Sequence, residues 1–549
     1  MGYTIAMDAQ QTLVELEAAP VPADEAAAPG TGQKPVFGQR RGKAQPEPRD
    51  KPLENPKLKP INRGQLLMRA VDLEHLVEAN HPARAIWELM GRLDLSAFYG
   101  SIRSQQGEKG RAANRPRLLG SVWLYAYSRG ISSAREIERQ MGYEPGRMWL
   151  CAAETVNHHT LSDFRVDHKE ALDELFRELL AVLDEGGFIE LSRVMHDGTK
   201  IRAQAGVDTF RREKTIRERL DEAKELLARM GDPREDNPAM NARQRAARER
   251  AVRERVEKLD AALQQLKNAP RGRKAEEAWE ARASVTEAEA RRMQHGDNAM
   301  APSYNLQLST ESKNKVIVGM HLSQCSADAP SLMKAVAVVE QNTDRRPDQL
   351  VVDGGFTSKE NILAAEERKI DLIGSLPDLE KKRAAAAAAA GIDVAFGVEF
   401  FILQAEQKTL QCPAGKPLRY VGNHTKGGNR YQRYQAEGGD CQACEYQKKC
   451  CPKEPERGRR VAMMVEEGPK VAKVRSQMET EEAKQIYKQR GEVAEFPNAW
   501  IKDKIGLRKF RLRGLFKAGI EGLWACLAYN VKQWIRLAWR KEEVAACAA

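Results

Sequence analysis

The 549-residue chain lacks the signatures of several common classes of protein. It has no Walker-type phosphate loop, no Ser-His-Asp set and no dinucleotide-binding glycine pattern. Its first residues, MGYTIAMDAQQ, do not combine a basic start with an apolar core, and Lys532 and Arg536 interrupt its late apolar stretch. The sequence therefore offers no motif for these three chemistries, and it predicts a cytosolic protein without a membrane partner.

The chain carries a mild excess of basic residues. Lys and Arg number 89 against 78 Asp and Glu, a formal net charge of +11. Such a charge attracts polyanions and favours nucleic acid over acidic partners. The hydrophobic content of 42% is enough for extensive cores, and the length fits roughly three or four domains.

Three acidic residues stand in patterns that suit metal chemistry. Asp197 follows an apolar run in VMHDGTKI, Asp353 does so in LVVDGG, and Glu495 lies in YKQRGEVAEFPNAWIK. We expect both Asp residues to emerge where strands end, beside glycines that permit close approach. Carboxylates are the ligands that magnesium prefers, and paired metals promote phosphoryl transfer. Phosphodiester chemistry on DNA is therefore the leading hypothesis, while His196 is either structural or near the metals.

Five of the nine cysteines fall within forty residues of one another. Their clustering, with a CxxC pair, favours metal over disulfides and predicts reduced thiols. Four thiolates suffice for a tetrahedral structural zinc. The predicted ligands are Cys412, Cys441, Cys444 and Cys450, with Cys451 as an alternative to Cys450.

The order of patterns predicts an α/β protein with a mixed sheet. Helical periodicity comes first, and a Gly-Ile-Ser-Ser turn suggests a helix-turn-helix with Arg135 and Arg139 on its second helix. Strands and helices then alternate, interrupted by a charged helical hairpin and a Cys-rich segment. The predicted segments are a disordered arm (1–62), a helical DNA-binding domain (63–187), a catalytic domain in parts (188–209, 294–378 and 476–540), a helical insertion (210–293), a Cys-rich insertion (379–475) and a tail (541–549).

Several longer motifs resemble one family. They are VWLYAYSRGISSAREIE, HHTLSDFR, HDGTKIRAQAG, RRMQHGDNAMAPSYNLQL, VVDGGFTSKENI and RLRGLFKAGIEGLWACLAYNVKQW. From about Asp72 to Trp534 the chain resembles the DDE transposases of bacterial insertion sequences, in the group with a Tyr-Arg-Glu-Lys signature. Tyr487, Arg490, Glu495 and Lys502 match that signature, except that four residues rather than three separate Arg490 from Glu495.

The resemblance implies a ribonuclease H-like fold with helices on both faces of the sheet. It implies that Asp197, Asp353 and Glu495 bind two magnesium or manganese ions for DNA hydrolysis and strand transfer. Arg490 and Lys502 would contact phosphates, with Tyr487 and Lys200 as further DNA-binding candidates. The implied partners are double-stranded DNA, as terminal inverted repeats and target, and a second copy of the chain in a homodimer, acting in the bacterial cytoplasm at the nucleoid.

Some alternatives stay open from the sequence. Glu492 and Glu521 are the nearest rivals of Glu495 as the third acid. In function, the alternatives are a nuclease of the same fold without strand transfer, and a catalytically inactive, domesticated protein that binds repeats.

Overall fold

The computed structural model describes residues 70–102, 112–230, 240–268, 281–376, 379–404, 408–426, 429–466 and 468–540. The arm predicted over 1–62 and the tail over 541–549 lie outside these residues.

Helices and strands are numbered separately in chain order. The helices are α1 (Pro82–Arg92), α2 (Pro116–Ser128), α3 (Ala134–Gln140), α4 (Pro145–Leu150), α5 (His158–Asp167), α6 (Lys169–Glu185), α7 (Glu213–Met230), α8 (Ala242–Asn268), α9 (Leu332–Thr343), α10 (Lys359–Glu367), α11 (Leu379–Ala389), α12 (Gly438–Gln442), α13 (Gln447–Cys450), α14 (Pro469–Glu479), α15 (Glu481–Lys488), α16 (Phe496–Asp503) and α17 (Leu515–Trp534). The strands are β1 (Arg193–Arg202), β2 (Phe210–Arg212), β3 (Arg282–Ser284), β4 (Arg291–Gln294), β5 (Met300–Glu311), β6 (Ile317–Ser323), β7 (Gln349–Val352), β8 (Asp371–Gly374), β9 (Ile402–Gln404), β10 (Thr409–Gln411), β11 (Pro417–Lys426), β12 (Asn429–Ala436) and β13 (Arg460–Glu466).

Helices α1, α4 and α5 pack against α2, which is buried on almost every side. The rings of Trp123 and Tyr127 on α2 lie 6.3 and 6.1 Å from that of Trp524 on α17. Large aromatic side chains bury much apolar area in such contacts. The last long helix therefore shares one core with the first helices.

A six-stranded mixed sheet forms the centre of the fold. Its order is β4-β5-β1-β7-β8, with β6 also paired to β5. The strands β5 and β1 are antiparallel, whereas β7 and β8 run parallel to β1. Helix α9 connects β6 to β7, and α10 connects β7 to β8. The mixed α/β class predicted from the alternation of patterns is confirmed, and β4 extends the sheet into the stretch predicted as helical insertion.

A charged helical hairpin stands between β1 and β4. Its helices α7 and α8 pack through a separate apolar cluster that includes Ile216, Leu220 and Leu259. Short strands β2 and β3 pair at its base, with Arg212 opposite Arg282. The hairpin thus has a small core of its own, with charged residues on its exposed surface.

The Cys-rich stretch contains a second sheet, which the sequence did not predict. Its five antiparallel strands follow the order β13-β12-β11-β10-β9. Leu410, Leu418, Tyr434 and Val461 form the apolar cluster on one face.

The C-terminal segment returns to the central sheet through α15, α16 and α17. Helix α17 contains fifteen buried residues, among them Glu521 and Asn530. None of the helices that the structure describes is long and apolar enough to cross a membrane.

Candidate active site

Asp197 and Asp353 lie side by side at one end of two parallel strands. The pairing of β1 with β7 ends at His196 opposite Val352, so each Asp is the next residue along its strand. Asp353 directly follows β7, as predicted. The prediction that β1 ends at Asp197 is wrong, because its antiparallel pairing with β5 continues to Arg202.

The side chain of Asp197 is largely buried. It is 19% exposed, whereas that of Asp353 is 51% exposed. Its Oδ2 accepts a hydrogen bond of 3.0 Å from the amide of Asn498 on α16. Burial raises the pKa of Asp197 to about 6, although the nearby Arg490 opposes this effect. Asp197 is therefore the acid whose charge depends most on its surroundings.

The third acid is carried by a helical segment that lies against β1, β7 and β8. Ile486, Val493 and Ala494 anchor this segment in an apolar cluster with Met195 and Val351. Between α15 and α16, residues Gly491–Glu495 form a π-helical turn. This wider turn accommodates the extra residue between Arg490 and Glu495.

The π turn determines which side chains face the Asp residues. In a regular α-helix, residues five apart point roughly 140° away from each other. A π turn has i to i+5 geometry, and such turns are frequent at functional sites. Here Arg490 donates a hydrogen bond of 2.7 Å to Glu495 Oε1. Arg490 and Glu495 therefore lie on one face of the helical segment despite their unusual spacing.

Arg490 is the common partner of all three acids. Its guanidinium nitrogens lie 3.8 Å from Asp197 Oδ1, 3.8 Å from Asp353 Oδ1 and 2.7 Å from Glu495 Oε1. Only 17% of its side chain is exposed. Burial alone would lower its pKa, but the three carboxylates outweigh burial and raise the pKa above its usual value. The structure thus gathers the predicted acids around one positive charge.

The rivals of Glu495 have other surroundings. Glu492 is 80% exposed, and its carboxylate lies 3.9 Å from Lys315 Nζ. Glu521 is buried and accepts hydrogen bonds from the backbone N–H groups of Arg511 and Leu512. Its role is therefore to hold the turn before α17.

The other signature residues support the acids to different degrees. The hydroxyl of Tyr487 donates a 3.2 Å hydrogen bond to Asp353 Oδ1, and its ring centroid is 5.8 Å from the Arg490 guanidinium. Burial lowers the pKa of Lys502, and Asp197 is among the nearby charges that oppose this shift. Lys200 leaves β1 on the opposite face from Asp197, because side chains alternate along a strand.

A buried polar network lies behind the site, and sequence reasoning missed it. His196 hydrogen-bonds to Ser309 at 2.9 Å and to Gln307 at 2.8 Å, and burial lowers its pKa to about 4. A Cβ on Gly198 would lie 2.3 Å from Gln307 Nε2 and 2.9 Å from Asp328 Oδ1. His196 is therefore held within this network, and the missing Cβ of Gly198 makes room for Gln307 and Asp328.

The predicted DNA-binding residues of the helix-turn-helix lie on α3. Arg135 and Arg139 are exposed, and Arg139 forms an ion pair of 2.7 Å with Glu136. Within the part of the chain that the structure describes, no hydrogen bond or ion pair joins either arginine to the three acids.

The five clustered cysteines line one cavity of about 30 Å³ beside the second sheet. Lys416 N–H donates to Cys412 Sγ at 3.3 Å, and Arg459 N–H donates to Cys441 Sγ at 3.3 Å. Burial raises the pKa of Cys450 to about 11. The fold thus brings the five clustered cysteines together around one small cavity.

Two families of known proteins match separate parts of the chain. The family described as "Transposase DDE domain" matches residues 411–535, and the family described as "Transposase domain (DUF772)" matches residues 71–167. Both matches are to transposase families, and together they support an insertion-sequence DDE transposase. No curated protein matches it.

The two matches cover different parts of this transposase. The DDE-domain match contains Arg490, Glu495 and the clustered cysteines, and the other contains α1 to α5. Asp197 and Asp353 lie outside both ranges. Their assignment therefore rests on the geometry at the ends of the parallel pairing.

DDE transposases generally use divalent metal ions, and the donors in this transposase fit such an ion. Three carboxylates supply hard oxygen ligands. The Oδ1 of Asn498, beside Asp197, is buried without a hydrogen-bond partner among the described residues, as occurs where a water or ion belongs. Among those residues no group of three or more His, Cys, Asp or Glu side chains is itself arranged to hold a metal. The guanidinium of Arg490 lies among the carboxylates instead.

Proposed function

We propose that this transposase binds the terminal inverted repeats of its insertion sequence, hydrolyses DNA at the repeat ends and transfers the freed strand to target DNA. The observation that carries the proposal is the convergence of Asp197, Asp353 and Glu495 on one cation, Arg490. Three carboxylates held this close repel one another unless a positive charge lies among them. Divalent metals bound by these acids would supply that charge.

The three acids would hold two magnesium or manganese ions. Bound there, such ions activate the attacking oxygen and stabilise the leaving oxygen of an in-line displacement. Asn498 orients Asp197 through its 3.0 Å hydrogen bond, and Tyr487 orients Asp353. Lys502, partly buried near Asp197, would meet a phosphate beside the scissile bond.

The fold supports this assignment. Three antiparallel strands followed by two parallel ones, in the order β6-β5-β1-β7-β8, agree with a ribonuclease H-like catalytic domain. We infer that this domain is built from segments 188–209, 294–378 and 476–540, interrupted by insertions at 210–293 and 379–475. On the same proposal the helices within 63–187, with Arg135 and Arg139, recognise the repeat as part of a homodimer on paired ends in the bacterial cytoplasm.

Cleavage of a labelled duplex carrying the terminal repeat of the encoding element tests the proposal. With magnesium or manganese, the wild-type chain should cut at the repeat boundary, whereas Asp353→Ala should bind the duplex and leave it intact. Strand transfer is then scored on a second, target duplex. Cutting without transfer would favour a nuclease, and repeat binding without cutting in either protein would favour an inactive binding protein.

We also propose a structural zinc in the Cys-rich insertion, held by Cys412, Cys441, Cys444 and Cys450. The backbone N–H groups directed at Cys412 and Cys441 favour thiolates there. Cys451 instead directs its thiol at Lys453 O, 3.6 Å away, which favours Cys450 as the fourth ligand. Zinc ligation would deprotonate the Cys450 thiol despite its raised pKa.

Metal analysis of the purified chain tests the zinc site. One zinc per chain should be present and should be lost in Cys441→Ser, while Cys325→Ser, a cysteine outside the cluster, should retain it. If the wild-type chain is produced in medium that contains zinc and the purified chain still holds no zinc, this site is refuted.

A further inference from the structure

We infer that Arg490 substitutes for the catalytic metals while none is bound. When metal binds, the Arg490 side chain leaves the three carboxylates and binds a DNA phosphate. Metal and Arg490 then compete for the same three carboxylates, and metal binding releases a guanidinium that strengthens DNA binding. This inference rests on the proposed function. It adds that the metal site and the DNA-binding site are coupled through one side chain.

The contacts of Arg490 are those of an ion that neutralises the site. Its guanidinium reaches one oxygen of each acid, at 3.8, 3.8 and 2.7 Å. Two of those acids, Asp353 and Glu495, are half exposed at 51% and 54%, whereas Arg490 itself is 17% exposed. The arginine therefore lies beneath the open side of the carboxylate group.

A divalent cation cannot share this position with the guanidinium. Magnesium binds carboxylate oxygens at about 2.1 Å, and Arg490 lies within 3.8 Å of an oxygen on each of the same three carboxylates. Two positive centres within such a distance repel each other strongly where burial weakens solvent screening. Bound metal is expected to expel the guanidinium from the carboxylate group.

A DNA phosphate can bind the released guanidinium. Arg490 precedes the π turn on the face that presents Glu495, and the half-exposed Asp353 and Glu495 mark the side from which DNA would approach. Planar guanidinium groups bind phosphate through two parallel hydrogen bonds. Reciprocity then requires that DNA, by engaging Arg490, also strengthens metal binding.

Manganese binding to the full-length chain, measured by electron paramagnetic resonance at pH 8 without DNA, tests the competition. Arg490→Gln should bind manganese about tenfold or more tightly than the wild type, within the usual range of coupling between sites. Lys488→Gln removes an equal charge from an exposed position two residues away and should leave the affinity unchanged. Arg490→Lys, which keeps the charge on a smaller group, should fall between.

DNA binding tests the second half of the inference. Calcium titrated into the wild-type chain and a labelled terminal-repeat duplex should raise the affinity for DNA. In Arg490→Gln this metal-dependent gain should disappear, while Lys488→Gln should keep it. Unchanged or weaker manganese binding by Arg490→Gln, or a calcium gain that survives in it, would overturn the inference.

A third variant separates this inference from the proposed function. Asp353→Asn should lower manganese affinity if the carboxylates are the metal site. If it does so while Arg490→Gln does not tighten binding, only the competition is wrong. If Asp353→Asn changes nothing, the proposed catalytic site itself fails. Circular dichroism of each variant checks that the fold is retained.

Discussion

At the site, the three acids differ in how far each one is exposed to water. Asp197 is mostly buried beneath the helical segment, whereas Asp353 and Glu495 reach solvent. Burial raises the pKa of Asp197, whereas Arg490 and Asn498 oppose this rise and favour its ionised form. Its burial has a measurable consequence for stability.

Asp197→Asn should stabilise the fold at neutral pH. Burial raises the pKa of folded Asp197 from 3.8 to about 6, so the folded state retains a proton that the unfolded chain releases. That stabilisation is complete below about pH 4 and is lost as the pH rises through about 6. At pH 8 the variant should therefore melt at a higher temperature than wild type, with a gain in unfolding free energy of up to about 3 kcal/mol. Near pH 3.5 the two should melt at an equal temperature.

Thermal melts of both proteins from pH 3.5 to 8 provide the measurement. Asp353→Asn, which removes a more exposed carboxylate beside the same arginine, is the matched control. An equal difference between wild type and Asp197→Asn at every pH would show that the effect does not come from ionisation.

Glu495 and Glu492 allow a direct test of the third acid. Glu495→Gln should reduce metal-dependent cleavage by at least about 100-fold, since loss of a ligand exceeds the usual cost of disturbing its supporting partners. Glu492→Gln, at an 80% exposed position near Lys315, should cleave like wild type. Cleavage of a terminal-repeat duplex measures both, and the reverse ranking would move the third acid to Glu492.

Single residues were predicted from the sequence where a local pattern marks them. Asp353 follows a β-branched run and precedes two glycines, a pattern that needs no tertiary information. Asn498 has no such mark, because an Asn within a helix is usually solvent-facing, and only the packing of α16 brings it to Asp197. The role of His196 was equally hidden, since its partner Ser309 is 113 residues away.

Among the elements, the π turn decides whether Arg490 and Glu495 act together. Their spacing has one residue more than the signature, and a regular helix would separate the two side chains. The wider turn brings them back to one face, and apolar Val493 and Ala494 hold it against the sheet. The geometry of the site thus depends on a local irregularity of the helix.

Deleting Gly491 should abolish metal-dependent cleavage without unfolding the protein. The loss of one residue allows a regular helix but rotates residues after the turn by roughly 100° relative to Arg490. Either Glu495 or the apolar side chains of Val493 and Ala494 must then move away from their present contacts. Gly491→Ala is the control, because a Cβ there meets nothing within 4 Å, and it should retain cleavage and manganese binding.

Manganese affinity and duplex cleavage, measured beside circular dichroism, provide the test for this pair. If the deletion variant kept full activity, the π turn would be incidental. Loss of helicity in both variants would instead show that position 491 matters for folding.

Elements were predicted well where periodicity is strong and poorly where it is not. The hairpin β5–β6, helix α9 and strands β7 and β8 follow apolar or alternating runs, and all of them are present. The sheet β9 to β13 was missed, because its strands are short or carry polar residues such as Arg433 and Gln435 on their exposed side. Such strands lack the apolar runs on which the prediction relied.

In the whole molecule, the central sheet is assembled from distant parts of the chain. Strand β1 pairs with β5 across the charged hairpin, and α17 returns to pack against the first helices. The order of patterns along the sequence predicted the strands. It did not predict that α2 and α17 share a core, because nothing in the sequence of either helix indicates that their aromatic residues are in contact. The hairpin, by contrast, is separable, because its apolar cluster is its own.

Removing the hairpin should therefore leave the catalytic core intact. Arg212 and Arg282 face each other in the short pairing of β2 with β3, so an Asn-Gly turn can join them in place of residues 213–281. The shortened chain loses Ile216, Leu220 and their partners on α7 and α8 together, and of this cluster it retains only Ala283 with Val285 and Ala288 beside it. We expect a cooperative melt, wild-type manganese affinity and an unchanged response to Arg490→Gln.

The matched comparison is a full-length chain with Leu220→Asp, which buries a charge in the same cluster and leaves the hairpin in place. That variant should be destabilised, because an unpaired charge in an apolar cluster is costly, while the shortened chain should not be. If the shortened chain aggregated or lost manganese binding, the hairpin would be part of the catalytic core, and the position of β1 beside β5 would depend on it.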